Sequence, residues 1–239
     1  MRKVQFAPGS VCHIYNRGVE GRDIFLSDGD RWRFLQGLML FNDEETKANL
    51  LFRLERDKKA LNFNVIREYL SQQKEKRSPL VKIMTDCLKP NHYHLILEEV
   101  LVGGISRFMH KLGGGYTKFF NTKYNRSGHL FQGPFQAVRV DNEDYLRYLI
   151  AYINVINPAQ EIEPRIKELG VENIEKVTEF TGDYPWSTNL EFLGKRESII
   201  IDKGLAGQLF SSPEDYEKFI RAVLLNKNKL NSIKDLFLE

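Results

Sequence analysis

The sequence predicts an α+β protein: a ferredoxin-like antiparallel sheet of about four strands with helices packed on it. Three observations predict this. Short alternating runs at residues 11–16, 80–88, 92–98 and 135–140 read as strands. Segments with apolar residues three and four apart lie between and after them and read as helices. The resulting order is strand, helix, strand, strand, helix, strand, helix, the pattern of a split βαβ unit.

The first strand is VCHIYN, followed by the Gly-containing loop RGVEGRD, with Arg17 at the strand end. Ser27 is a suitable N-cap, and Asp28 and Asp30 fall in the first turn of a helix whose stripe is Trp32, Leu35, Leu38 and Met39. Residues 43–78 crowd charges of both signs around Leu61, Val65, Ile66, Tyr69 and Leu70, which keep helical spacing, so a charged helical insertion is expected. The strands LVKIMTDCL and HYHLILE are separated by Lys89-Pro90-Asn91 and read as hairpin partners.

A helix is expected from about 105 to 124, on Ile105, Phe108, Met109, Leu112, Tyr116, Phe119 and Phe120. Its middle holds Gly113-Gly114-Gly115, and each glycine costs ~1 kcal/mol relative to alanine there. A break or a close backbone approach is expected at that point. After the fourth strand, Asn142 caps a helix with Leu146, Leu149, Ile150 and Ile153 on its apolar face, and Asn157-Pro158 stops it. Beyond lie a short acidic helix near 162–169, the loop GDYPWST, a helix capped by Ser212, and an amphipathic turn near 233–238. The expected division is residues 1–158 and a mostly helical extension, 159–239.

Composition narrows the class. Hydrophobic residues make up 42% of the 239, ordinary for a globular chain. The two cysteines, Cys12 and Cys87, sit in apolar runs and make neither a disulfide framework nor a zinc pattern. No HExxH, P-loop or paired CxxC is present. No apolar run approaches the ~18–20 residues of a membrane span, and MRKVQFAPGS has no apolar leader core, so a cytoplasmic protein with no membrane partner is expected.

Charge is unevenly placed. No Asp or Glu occurs from Val100 to Val140, where six basic residues fall, yet the whole chain is only +3. Such a patch is a footprint for a polyanion, most often nucleic acid. Arg17, Arg107, Lys111, Lys118, Lys123, Arg126, His129, Gln132 and Arg139 are the candidate DNA contacts.

His92 and His94 are one residue apart on a strand, so both rings point to one face while Tyr93, Leu95 and Leu97 point to the other. Two imidazoles on one side of a rigid element suit a divalent metal. The plain alternative is a pair of half-exposed strand histidines. Tyr116 lies on its helix's apolar stripe, and a core tyrosine is the plain reading there. The functional reading is a nucleophile acting beside the metal, in surroundings that hold a phosphodiester backbone.

At these residues the sequence resembles a known family. His92-Tyr93-His94 is similar to the His-hydrophobic-His signature of HUH endonucleases. PNHYHLIL, SRFMHKLGGGYTKFFNTKYNRSGHLFQGPF, the later NP and YPWST, and HIYNRG with IFLSDGDRWRFL resemble single-tyrosine transposases of the REP-associated branch, over roughly residues 5–42 and 80–195. The resemblance implies a ferredoxin-like fold, Mg²⁺ or Mn²⁺, and cleavage of single-stranded DNA beside a hairpin, with the tyrosine joined to the 5′ phosphate. By position it implies His92 and His94 as ligands, Tyr116 as nucleophile with Tyr124 as the neighbouring alternative, and Asn121 as a third ligand. Lys89, Pro134 and Val155-Ile156-Asn157 depart from the usual family pattern, Pro134 by removing an arginine. The rivals are a non-cutting nucleic-acid-binding module of the same fold and a nuclease that uses water. A homodimer is left open.

Overall fold

The computed structural model describes residues 5–45, 51, 53, 54, 56, 62–72 and 77–226. Four antiparallel strands form one sheet in the order β2-β3-β1-β4, where β1 is Val11–Arg17, β2 Val81–Lys89, β3 His92–Glu99 and β4 Gln136–Arg139. The fold is α+β, as the sequence predicts. Part of the charged insertion and the amphipathic turn near 233–238 lie outside the described residues.

Register sets which side chains share a face. Tyr93 pairs with Asn16 and Leu88, while His94 pairs with Tyr15 and Cys87, and His92 with Arg17 and Lys89. Cross-strand partners point the same way. Tyr93, Leu95 and Leu97 therefore belong to one face, with Cys12, Ile14 and Asn16. His92 and His94 belong to the other, with His13 and Tyr15.

Two helices cover the Tyr93 face: α1 (Asp28–Phe41) and α3 (Gly104–Lys123). The Tyr93 ring meets Phe34 of α1 at 4.9 Å, and Phe34 meets Tyr116 of α3 at 5.2 Å. The Asp30 carboxylate caps α1 by accepting from the backbone N–H groups of Leu26 and Ser27, at 2.8 and 2.9 Å. The buried Glu99 carboxylate caps α3, accepting from the N–H groups of Gly103 and Ile105. Gly104 is required at that turn, because a Cβ there would lie 2.2 Å from the carbonyl oxygen of Leu80. The helix runs unbroken through Gly113-Gly114-Gly115, and a Cβ added at Gly113 or Gly114 would meet nothing within 4 Å, so of the two expected alternatives there is no break, and no close backbone approach at those two glycines. Between α1 and β2, helix α2 (Phe63–Ser71) begins at Asn62, whose side chain accepts from the Val65 N–H.

The histidine face is covered from the other side of the chain. Helix α4 (Glu143–Ala151), capped by Asn142, passes directly into a π-turn at Tyr152–Ile156 and then one short turn, Asn157–Ala159. The Asn157 N–H donates to the Tyr152 carbonyl, the i→i+5 bond that defines the π form. The later chain adds α5 (Ile174–Asp183) and α6 (Pro213–Leu225), with shorter helices between. Residues 186–188 lie along the edge of β2: the Leu88 N–H donates to the Trp186 carbonyl and the Thr188 N–H to that of Asp86. Val177, Tyr184, Trp186, Phe192 and Tyr216 join the same buried cluster as the sheet.

Candidate active site

His92 and His94 project from β3 with their ring centroids 5.0 Å apart and their planes at 90°. His94 is fully buried and His92 half-buried. The Nδ1 atom of His92 lies 2.6 Å from Asn91 Oδ1, and Nδ1 of His94 lies 2.8 Å from Nε2 of His13 on β1. Arg17, the cross-strand neighbour of His92, is exposed and bonds to Gln132 through its Nε. The loop that carries Gln132 is held to β1 by the Gln132 N–H, which donates to the Arg17 carbonyl.

Two tyrosine rings meet His94: Tyr15 of β1 stacks on it, and Tyr152 approaches from the covering helix. The Tyr152 ring packs edge-on to His94, with centroids 5.8 Å apart. Lys167 donates to its hydroxyl at 2.6 Å and also sits over its ring. Asn157 follows one π-turn later, roughly on the same side of the helix as Tyr152. Its side chain is fully buried, and neither amide atom has a hydrogen-bond partner among the described residues.

Tyr116 lies elsewhere. It is on the opposite face of the sheet from the histidine pair, ringed by Phe25, Phe34, Phe119, Phe120 and Phe131. Its hydroxyl donates to the Ile24 carbonyl at 2.5 Å, and burial, with Asp30 nearby, pushes its pKa far up. The structure thus does not bring together His92, His94 and Tyr116, because β3 sends its even- and odd-numbered side chains to opposite faces. Tyr124 donates to Asp30. Asn121 is also used structurally: its amide nitrogen donates to the Gly128 carbonyl and its oxygen accepts from Arg126. Neither belongs to the histidine face.

Several of the expected DNA contacts hold the protein itself. Arg107 pairs with Glu44 at 2.7 Å, Lys111 donates to the carbonyls of Asp43 and Glu44, and Lys123 pairs with Asp30 at 2.6 Å. Arg126 caps Asn121, and Arg139 pairs with Asp141. The segment free of acids in sequence meets acids supplied by other segments. Burial alone would raise the Asp30 pKa, but hydrogen bonds from Lys123, Tyr124 and Leu26 outweigh it and hold the carboxyl below its ordinary value.

Lys118, His129 and Gln132 do gather, on the rim of a groove of about 1010 Å³ along α3. Its floor includes Gly113 and Gly114, where an added Cβ would meet nothing within 4 Å. Phe131 and Phe135 also line it, and among the described residues no acidic one does.

Residues 45–155 match the model of the family described as "Transposase IS200 like". The chain resembles the IS200-like transposases. The matched span carries the His92–His94 pair, the glycine-bearing helix and Tyr152 of this transposase-like chain. Two solved structures are also similar. One is described as the REP-associated tyrosine transposase bound to a REP hairpin, 14% identical with a TM-score of 0.47, covering 84% of this chain and 93% of the other. The other is tRNA(His) guanylyltransferase from Saccharomyces cerevisiae, 12% identical with a TM-score of 0.32, covering 95% and 78% respectively. At such scores neither likeness extends to function. No curated protein matches the chain.

The residues on the histidine face fit a divalent ion in part. Among the described residues, no three of His, Cys, Asp and Glu gather as a ligand cluster. Two imidazoles on β3 are available donors, and the buried amide of Asn157, one π-turn after Tyr152, has no hydrogen-bond partner among the described residues. These groups are compatible with Mg²⁺ or Mn²⁺ held together with phosphate oxygens, since such ions take few protein ligands and complete their shell from substrate and water.

Sequence reading did not bring Tyr152 or Asn157 to the histidine face. A signal for them was present. In a split βαβ unit the right-handed crossovers put both connecting helices on one face. The opposite face, which the histidines share, is then left to the helix after the last strand. The π-turn blurred that signal, because Tyr152 and Asn157 are five residues apart, a spacing that an ordinary α-helical period does not bring to one side.

Proposed function

We propose that the protein is a metal-dependent DNA nicking and joining enzyme, a transposase of the single-tyrosine HUH type, with Tyr152 as its nucleophile. The observation that carries this reading is the packing of the Tyr152 ring against His94 on the histidine face. The substrate class is single-stranded or hairpin-bearing DNA. It is supported by the transposase family match and by the acid-free groove, whose aromatic rings suit stacking on unpaired bases.

In this reading Lys167 holds the phenolic oxygen and stabilises negative charge on it as the proton leaves. The oxygen attacks the scissile phosphorus, a tyrosine–5′-phosphate bond forms, and the bond to the 3′ oxygen breaks, releasing a 3′ hydroxyl. Joining is the reverse, with a 3′ hydroxyl attacking the phosphotyrosine. His92, His94 and Asn157 would hold the divalent ion, which when bound supplies Lewis-acid polarisation of the phosphoryl oxygen. Arg17, beside His92, is placed to take a flanking phosphate.

A second reading, a non-cutting binding module, is favoured by one observation: Tyr152 is only 1% exposed and its hydroxyl is already bonded. Incubation with single-stranded hairpin DNA from the flanks of its own gene and Mn²⁺, followed by denaturing electrophoresis, separates the two. A covalent protein–DNA band that disappears with chelator and in Tyr152→Phe supports the enzyme. Tight binding with no adduct under either metal supports the module.

A further inference from the structure

His13 is buried on the same sheet face as His94. It sits on β1 diagonally across from His94 on β3, His94 being opposite Tyr15 and His13 opposite Ile96. The two rings are nearly parallel, 15° apart with centroids at 5.1 Å, and Tyr15 stacks on both. Both imidazoles are buried, at 1% and 0% exposure. The contact between His13 Nε2 and His94 Nδ1, at 2.8 Å, is a hydrogen bond with one proton and two possible donors.

The two arrangements differ at the far side of His94. With His94 Nδ1–H donating, its Nε2 keeps the lone pair that a metal takes. With His13 Nε2–H donating, a neutral His94 carries its proton on Nε2 and cannot ligate there. At the neighbouring His92, Nδ1 lies 2.6 Å from the amide oxygen of Asn91, an acceptor, so a neutral ring there carries its proton on Nδ1.

We propose that His13 is the positioning residue that holds His94 in the Nδ1–H tautomer and so leaves its Nε2 to bind the divalent ion. An imidazole here does what a carboxylate or carbonyl commonly does behind a metal-bound histidine. The inference rests on the proposed metal site, and it predicts a property of the protein with no metal added.

Long-range ¹H–¹⁵N correlation spectra of the metal-free protein read the tautomer directly, and Mn²⁺ titration followed by electron paramagnetic resonance reads affinity. The wild type should show His94 protonated at Nδ1. His13→Leu, which keeps bulk but accepts no hydrogen bond, should lose that tautomer and bind Mn²⁺ about ten- to a hundredfold more weakly. His13→Gln, whose side-chain oxygen can still accept, should stay within a few fold of the wild type. If His13→Leu does not fold, the wild-type tautomer and His13→Gln decide the matter. His94 protonated at Nε2 in the wild type, or a folded His13→Leu with wild-type affinity, would overturn the inference while leaving the metal site standing. A wild type with the Nδ1–H tautomer but no Mn²⁺ uptake would overturn the metal reading, and the inference with it.

Discussion

Tyr116 and Tyr152 are both buried, and what each hydroxyl touches separates their roles. Removing the Tyr116 hydroxyl leaves the Ile24 carbonyl without its partner in the core. Tyr116→Phe should therefore destabilise the protein by about 1–2 kcal/mol in denaturant titration while leaving adduct yield unchanged. Asp86 makes a second prediction at this scale. Burial raises its pKa to about 6, against the lowering effect of the Thr188 hydroxyl and with Glu191 adding to the rise. Between the ordinary carboxylate value and about 6, the folded state keeps a proton that the unfolded chain has released. Stability from this group is thus greatest at acid pH, falls as pH rises through that window and is level above it. Asp86→Asn, which keeps an acceptor for Thr188, should remove a pH dependence of roughly 3 kcal/mol at most. Unfolding curves of both proteins at pH 4, 5, 6 and 7 check it.

At the scale of elements, α3 is both a core helix and a groove wall. One side carries Phe108, Leu112, Tyr116 and Phe120 into the core, and the other exposes Gly113 and Gly114. Gly114→Ala should raise stability by up to ~1 kcal/mol, since the helix continues through it and nothing obstructs a Cβ. If DNA lies in the groove, the same substitution should weaken binding; melting temperature and DNA affinity, measured together, test both halves. Gly104→Ala should do the opposite to stability, because its Cβ meets backbone rather than a movable side chain. The strands and the helices α3 and α4 were legible from their periodicity, and α1 from its Ser27 cap and the acidic residues of its first turn. The π-turn was not, since a single inserted residue changes a bonding pattern without changing composition. The helices between 174 and 208 were also missed; two of them, Asn189–Phe192 and Gly204–Gln208, are only four and five residues long.

At the scale of the whole molecule, tertiary pairing rewrites the charge map. The basic cluster read from sequence loses Arg107, Lys111 and Lys123 to Asp43, Glu44 and Asp30, residues far away along the chain. Linear sequence cannot show such pairing, whereas the two histidines were legible because strand parity is local. Lys118→Ala should accordingly weaken DNA binding across all sequences and reduce the salt slope by about one. Lys123→Ala should leave DNA binding little changed and instead lower stability, through the buried Asp30 carboxylate. Fluorescence anisotropy at several salt concentrations, beside thermal melts, distinguishes these outcomes. Residues 186–188 along the β2 edge tie the later chain to the sheet, next to the strand that bears the histidines.

The proposed nucleophile, Tyr152, sits on the histidine face. Mass-spectrometric mapping of the peptide that retains a nucleotide, after digestion of the covalent protein–DNA adduct, tests that role most directly. The phosphodiester bond is expected on Tyr152. A nucleotide found on Tyr116 or Tyr124 would contradict it.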